Sequence, residues 1–285
     1  MSDIINKSIL ALGHSHLNAL VRAYRDFYGK GSTGPGPFTM SFLQLHQDTF
    51  QPNIIRENRK RRLHDAIEPH FQMVVKRDQP EVIVSCVMGN EYNTVGILNH
   101  PRRFDFYLPA RPDLPTDENA EILPVGLVED LIRARLANAV GLYLGMLSRA
   151  GTHAAKVHIP PPPPVRENSY IETYPGQFGE KVRQFGVSPP FFRLKMWNLT
   201  CRALQKLCEE AGVIFHRLPD SVFDADGFLA RPFMNRDPTH ANGRYGQIIL
   251  DNIARTSFSG LEMEKTSERT PVQESAQLLF LGARS

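Results

Sequence analysis

Ser15, Asp237 and His240 are the residues of this chain whose types and spacing invite chemistry. A serine hydroxyl attacks an acyl carbon when a base takes its proton and a third group orients that base. In Asp237-Pro238-Thr239-His240 the carboxylate is close enough in sequence to hold one ring nitrogen while the other faces a hydroxyl. Ser15 stands in Gly13-His14-Ser15-His16, between the apolar run Ile9-Leu10-Ala11-Leu12 and a helically spaced set, Leu17, Leu20, Val21, Tyr24 and Phe27. A turn from buried strand to helix holds a serine at the carboxyl edge of a sheet, near the partial positive charge of a helix start. Asn90, in Met88-Gly89-Asn90-Glu91, follows another apolar run and offers a side-chain amide to a developing oxyanion. Each piece also has a plainer reading. Serine is a preferred helix cap, and Asp-Pro-Thr-His suits the start of a helix.

The elements that must position these residues follow from the periodicity. Apolar runs at 8–12, 38–45, 81–88, 153–159 and 213–218 read as strands. Residues 17–27, 53–79, 125–149, 191–211 and 245–255 read as helices. Asn53 is then a helix cap, Pro69 a kink, and the basic run 56–62 a solvated helix face. Strands alternating with helices predict an α/β fold: three α/β/α layers around a mostly parallel five-stranded sheet, flavodoxin-like in type. The domain covers 1–260, with long loops at 99–124 and 160–190, and 261–285 form a polar tail. Ligands bind such sheets at the carboxyl ends of the strands. The candidate residues converge there: Ser15 after the first strand, His46-Gln47-Asp48 after the second, Asn90 after the third, and Asp237 and His240 after the fifth.

The 285 residues, 41% hydrophobic, suffice for one good core. Lys and Arg number 33 against 30 acids, a net charge of +3, which speaks against a nucleic-acid partner. Cys86, Cys201 and Cys208 are an odd set without metal-like spacing, which fits a reducing compartment. Residues 1–7 lack the pattern of a leader, and the most apolar later piece, 139–147, is too short to cross a bilayer. The expectation is a cytoplasmic protein without a membrane partner, acting on a small-molecule ester.

With these residues in place, the chain resembles the SGNH (GDSL-type) hydrolase family. Gly13-His14-Ser15-His16 is similar to its first block, Met88-Gly89-Asn90-Glu91 to its third, and Asp237-Pro238-Thr239-His240 to its last. The resemblance implies an α/β/α fold and hydrolysis of a short acyl, foremost acetyl, ester of a small polar or sugar-like molecule through an acyl-serine, with no metal or cofactor. It makes Ser15 the nucleophile, His240 the base and Asp237 its orienter, with Ser15, Gln47 and Asn90 forming the oxyanion hole. His14, His16, Glu91 and Tyr107 are candidate substrate-binding residues. The departures are His14 in place of the first-block Asp, Met88 and Glu91 around Asn90, and Gln47 at a position where glycine is usual. Arg102, Arg103, Phe104, Phe106, Tyr107, Tyr170, Tyr174 and Phe178, on the long loops, suit a ring-bearing polar substrate or simple loop packing. Three other readings stay open. One is acyl transfer on the same scaffold. Another is a metal-dependent hydrolase built on His14 and His16 with His46, His158 and Asp237. The third is a catalytically impaired binding protein.

Overall fold

The structure, a computed structural model, describes residues 7–29, 38–58, 60–87, 89 and 91–267, with side chains as far as 257. Five strands form the central sheet: β1 (Lys7–Gly13), β2 (Phe38–Gln44), β3 (Val82–Cys86), β4 (Ala155–His158) and β5 (Ile214–Phe215). All pairings are parallel, in the order β2-β1-β3-β4-β5. The order reverses between β1 and β3, which opens a crevice at their carboxyl ends.

Strand side chains alternate between faces, so the β1 run fills two layers at once. Leu10 and Leu12 face a core with Leu43 and Ile83 that is covered by α2 (Ile67–Asp78), α3 (Val125–Ala137), α4 (Val140–Ser148) and α5 (Pro190–Ala211). Ile9 and Ala11 face the opposite layer with Val82 and Val84, covered by α1 (Leu17–Ala23) and α6 (Gly243–Ser267). This is the expected three-layer arrangement.

Several expected elements are corrected. Residues 53–58 and 60–66 are not helical: Ile54–Glu57 and Lys60–Leu63 form an antiparallel hairpin, and the helix begins only at Ile67. Asn58 turns the chain at φ +48°, a left-handed conformation that asparagine tolerates. Pro69 then falls in the first turn of α2, where its missing N–H costs little and bends nothing. The expected single helix at 125–149 breaks at Ala139, where φ is −130° and ψ −77°. The fifth strand shrinks to two residues. The last helix runs twelve residues past Arg255, to Ser267. Gly260 alone does not stop it, since one interior glycine costs about 1 kcal/mol. Of the expected polar tail, 261–267 are thus helical, and 268–285 lie outside the described residues.

The two long loops are partly ordered by their own elements. Residues 160–190 contain the short helices Asn168–Thr173 and Gly179–Phe185 and a small apolar cluster of Val165, Ile171, Phe178, Val182 and Val187 with Ile97. Both loops are fastened to the first turns of α5 by buried cations. Arg193 donates to the carbonyls of Val165, Arg166 and Ser188. Lys195 pairs with Asp105 at 2.5 Å and donates to the carbonyls of Phe106 and Pro115. Removing one partner of such a buried pair strands a charge at a cost of about 3–5 kcal/mol.

Candidate active site

Gly13 ends β1 where no side chain fits: a Cβ there would lie 2.7 Å from Cys86 Sγ and 2.8 Å from the Cys86 carbonyl oxygen. The chain therefore leaves the sheet hard against β3, and Leu45 N–H, at the end of β2, closes onto the Gly13 carbonyl at 2.9 Å. His14 and Ser15 accept from the N–H groups of Leu17 and Asn18 as α1 begins. Ser15 does not cap this helix. Its Oγ lies 2.7 Å from His240 Nε2.

His240 arrives from the opposite end of the chain. Asp237-Pro-Thr-His-Ala241 is not the start of a helix but a short strand paired with Met234–Asn235, and α6 begins only at Gly243. Within it Asp237 Oδ1 accepts from the backbone N–H of Thr239 (2.9 Å) and of His240 (2.8 Å), the Thr239 hydroxyl (3.1 Å) and His240 Nδ1 (2.8 Å). Oδ2 accepts from Asn235 Nδ2 at 2.9 Å. Burial works to raise the Asp237 carboxyl, but the hydrogen bond and charge of His240, with the backbone N–H groups, outweigh it and hold it at about 2. It is a carboxylate at any ordinary pH, so the imidazole Nδ1 is held as the donor and Nε2 faces Ser15 as the acceptor.

Two helices bring these halves together. Ser15 opens into α1, His240 leads into α6, and the helices touch at Gly246, where a Cβ would fall 2.1 Å from the Ala19 carbonyl oxygen. No L-side chain fits there without separating the helices.

His14 and His16, expected to bind substrate, flank Ser15 in different surroundings, and each keeps one buried ring nitrogen, His14 Nδ1 and His16 Nε2, without a hydrogen-bond partner. His14 Nε2 lies 2.9 Å from Asn53 Oδ1, whose amide donates to the carbonyls of Leu45 and Phe50. The His14 ring also meets Tyr143 edge-on at 5.6 Å. Asn53 is thus a brace between β1 and the start of the hairpin rather than a helix cap. Burial pushes His14 down to about 4, against the pull of the Asn53 hydrogen bond. Burial and the neighbouring His240 push His16 to about 3. The His16 ring leans on the His240 ring at 4.9 Å.

The remaining candidates are less tied to this centre. Gln47 is exposed, with φ −67° and ψ 148°, so its backbone needs no glycine. Asn90 and Met88 lie outside the described residues. Glu91 beside them is half-buried, and burial raises its carboxyl. Tyr107 is 53% exposed, while Phe106 and Phe178 are buried and serve packing. Tyr170 does reach the site: its hydroxyl donates to the Asn235 carbonyl at 2.9 Å, and nearby Gly176 abuts Asp237. The histidines proposed for a metal are dispersed, His158 being bonded to Ser85 inside the sheet. Among the described residues no three His, Cys, Asp or Glu side chains are grouped to hold a cation, and no helix is long and apolar enough to cross a membrane. Sequence reasoning missed the roles of Asn53, Thr239 and Asn235, while Tyr170 was named only as a loop aromatic. Only Asn235 and Thr239, two residues either side of Asp237, carried a positional hint.

No protein-family profile and no curated protein matches the chain. Among solved structures it is similar to the periplasmic domain of a lipopolysaccharide acetyltransferase from Salmonella ser. Paratyphi A, at 13% identity over 89% of this chain and 84% of that one, with a TM-score of 0.46. It is also similar to a GDSL-like lipase from Bacteroides thetaiotaomicron, at 12% identity, 90% and 89% coverage and a TM-score of 0.40. A phospholipase A1 from Streptomyces albidoflavus gives 12%, 87%, 99% and 0.38 for the same quantities. Likeness at this level is one of element order, and the chemistry stands on the geometry of Ser15, His240 and Asp237.

Proposed function

We propose that the chain is a serine esterase that cleaves a short acyl ester, acetyl foremost, of a small polar or sugar-like molecule. The observation that supports this is the continuous hydrogen bonding from Ser15 Oγ through His240 to Asp237, at 2.7 and 2.8 Å. As Ser15 Oγ adds to the ester carbonyl, its proton passes to His240 Nε2, and Asp237 steadies the imidazolium through Nδ1–H. The tetrahedral species collapses, and the departing alcohol takes that proton. Water then repeats the sequence on the acyl-serine and releases the acid. The oxyanion is met by the Ser15 N–H, the Asn90 side chain and the Gln47 N–H, fixed donors each worth roughly a hundredfold in rate. Ser15 is thus the nucleophile of the first half and water that of the second, and His240 carries the proton in both.

A fluorophosphonate probe should label one serine, located by mass spectrometry at Ser15. Ser15→Ala should fold normally and lose turnover of 4-nitrophenyl acetate by roughly a thousandfold or more. Labelling elsewhere, or turnover retained in that variant, removes the reading.

A further inference from the structure

The hairpin of Ile54–Glu57 and Lys60–Leu63 carries five basic residues, Arg56, Arg59, Lys60, Arg61 and Arg62, against one acid, Glu57. The whole chain's net charge is only +3, so everything outside this hairpin is net negative. Arg59 lies outside the described residues. Arg56 and Arg61 stand directly opposite each other in the ladder, and both are exposed. Like charges in that register repel and weaken a hairpin. The nearby acids do not relieve them, because Glu57 and Asp65 both pair with Arg62.

The base of this arm is bolted to the rim of the site. Asn53, immediately before it, is bonded to His14 beside Ser15, and His64 N–H closes onto the Asn53 carbonyl at 2.9 Å. Three residues of extended chain carry Arg56 roughly 10 Å from Asn53. Nothing aromatic lies between Ile54 and Leu63 on which a nucleic-acid base could stack. The apolar Ile54, Ile55 and Leu63 are partly buried at the base, so the tip presents no apolar group to a lipid bilayer. What remains is a pair of guanidinium forks, which match carboxylate and phosphate oxygens.

We infer that this hairpin binds the anionic part of a chain-like substrate bearing several carboxylate or phosphate groups, while an acyl ester on the same chain lies at Ser15. The inference rests on the esterase reading for the second half only. Repulsion between Arg56 and Arg61, unrelieved within the described residues, is relieved when an anion sits between them.

Polygalacturonate and long-chain polyphosphate serve as carboxylate and phosphate probes, with neutral dextran as the control. Binding is measured by calorimetry at two salt concentrations. One or both polyanions should bind, more weakly at higher salt, and dextran should not; the one that binds more tightly identifies the anionic group. The double variant Arg56→Ser, Arg61→Ser should bind roughly tenfold more weakly with a shallower salt dependence, and its turnover of 4-nitrophenyl acetate should be unchanged. Arg56→Glu is the second variant. It sets an acid opposite Arg61, which should hold or raise the melting temperature while weakening binding further. Unchanged binding in both variants overturns the inference, as does failure of both polyanions to bind. Tighter binding of duplex DNA, or of phosphatidylcholine vesicles containing phosphatidylserine, also overturns it. A parent chain inert toward esters that still binds a polyanion through Arg56 and Arg61 removes the esterase reading and supports the hairpin's role.

Discussion

Two segments assigned to the chemistry at Ser15, Asp237–His240 and His46–Asp48, are built in opposite ways. The Asp237–His240 turn is over-determined: five donors converge on one carboxylate, and the Asn242 amide ties the turn to the carbonyls of Pro232 and Met234. The His46–Asp48 turn is exposed, and it is held by two backbone bonds, from Phe50 N–H to the Gln47 carbonyl and from Gln51 N–H to the Asp48 carbonyl, with no side-chain brace among the described contacts of its own residues. Proton transfer demands a fixed distance and angle, whereas a backbone N–H can serve an oxyanion from a less supported turn. The rigid turn should therefore set whether the chain reacts, and the loose one which acyl group it accepts.

The largest effect belongs to the rigid turn. His240→Asn should lower kcat by roughly a thousandfold or more, while Asp237→Asn, which weakens orientation but leaves the base, should cost less, roughly a hundredfold or more. Equal losses in the two variants would show that Asp237 does more than orient.

Next comes the contact that joins the halves. Gly246→Ala places a Cβ 2.1 Å from the Ala19 carbonyl oxygen, so α1 and α6 must part. Overpacking of this kind costs about 1–3 kcal/mol. It should also lengthen the Ser15–His240 hydrogen bond, lowering kcat about tenfold or more with little change in KM. Thermal unfolding and steady-state kinetics on one variant read both. Full activity alongside a lowered Tm would show that the triad does not depend on this helix contact.

A third, smaller effect separates the triad from its neighbours. Burial holds His14 at about 4 and His16 at about 3, below the ordinary histidine value, so both stay neutral as pH falls from 7 to 5. The pH profile of kcat/KM over that range should therefore carry no proton from His14 or His16. A profile between pH 7 and 5 whose shape changes in His14→Asn or His16→Asn would show that the replaced histidine titrates there.

The strand, turn and helix around Ser15 were legible because the apolar period switches from continuous to helical across one glycine, and because Gly13 has no room for a side chain. Asp237 and His240 were legible as an acid and a base, though not as a strand. Their hydrogen bonds come from Asn235 and Thr239, which no periodicity singles out. Residues 53–66 misled because Ile54, Ile55 and Leu63 suit a helix face as well as a hairpin, and only Asn58 marks the turn. Arg193 and Lys195 sit where a surface helix would show solvent. Their burial depends on carbonyls some 30 and 80–90 positions away, which local pattern does not reveal.

The smallest effect, and the sharpest test of the loose turn, is Gln47→Gly. A backbone at φ −67° is open to any residue, so glycine is not needed for conformation. Its usual merit at such a position is room beside the substrate. Gln47 keeps the N–H and adds an exposed side chain, which on the esterase reading narrows the space for the acyl group. Gln47→Gly should hold acetyl-ester turnover within about tenfold, since the donor survives, and should improve butyryl and longer esters relative to acetyl. Asn90→Ala, which removes a donor, should depress all chain lengths together. Chain-length profiles with 4-nitrophenyl esters distinguish the two. If Gln47→Gly leaves the profile flat, Gln47 does not border the acyl group, and the second donor comes from another N–H along the sheet edge.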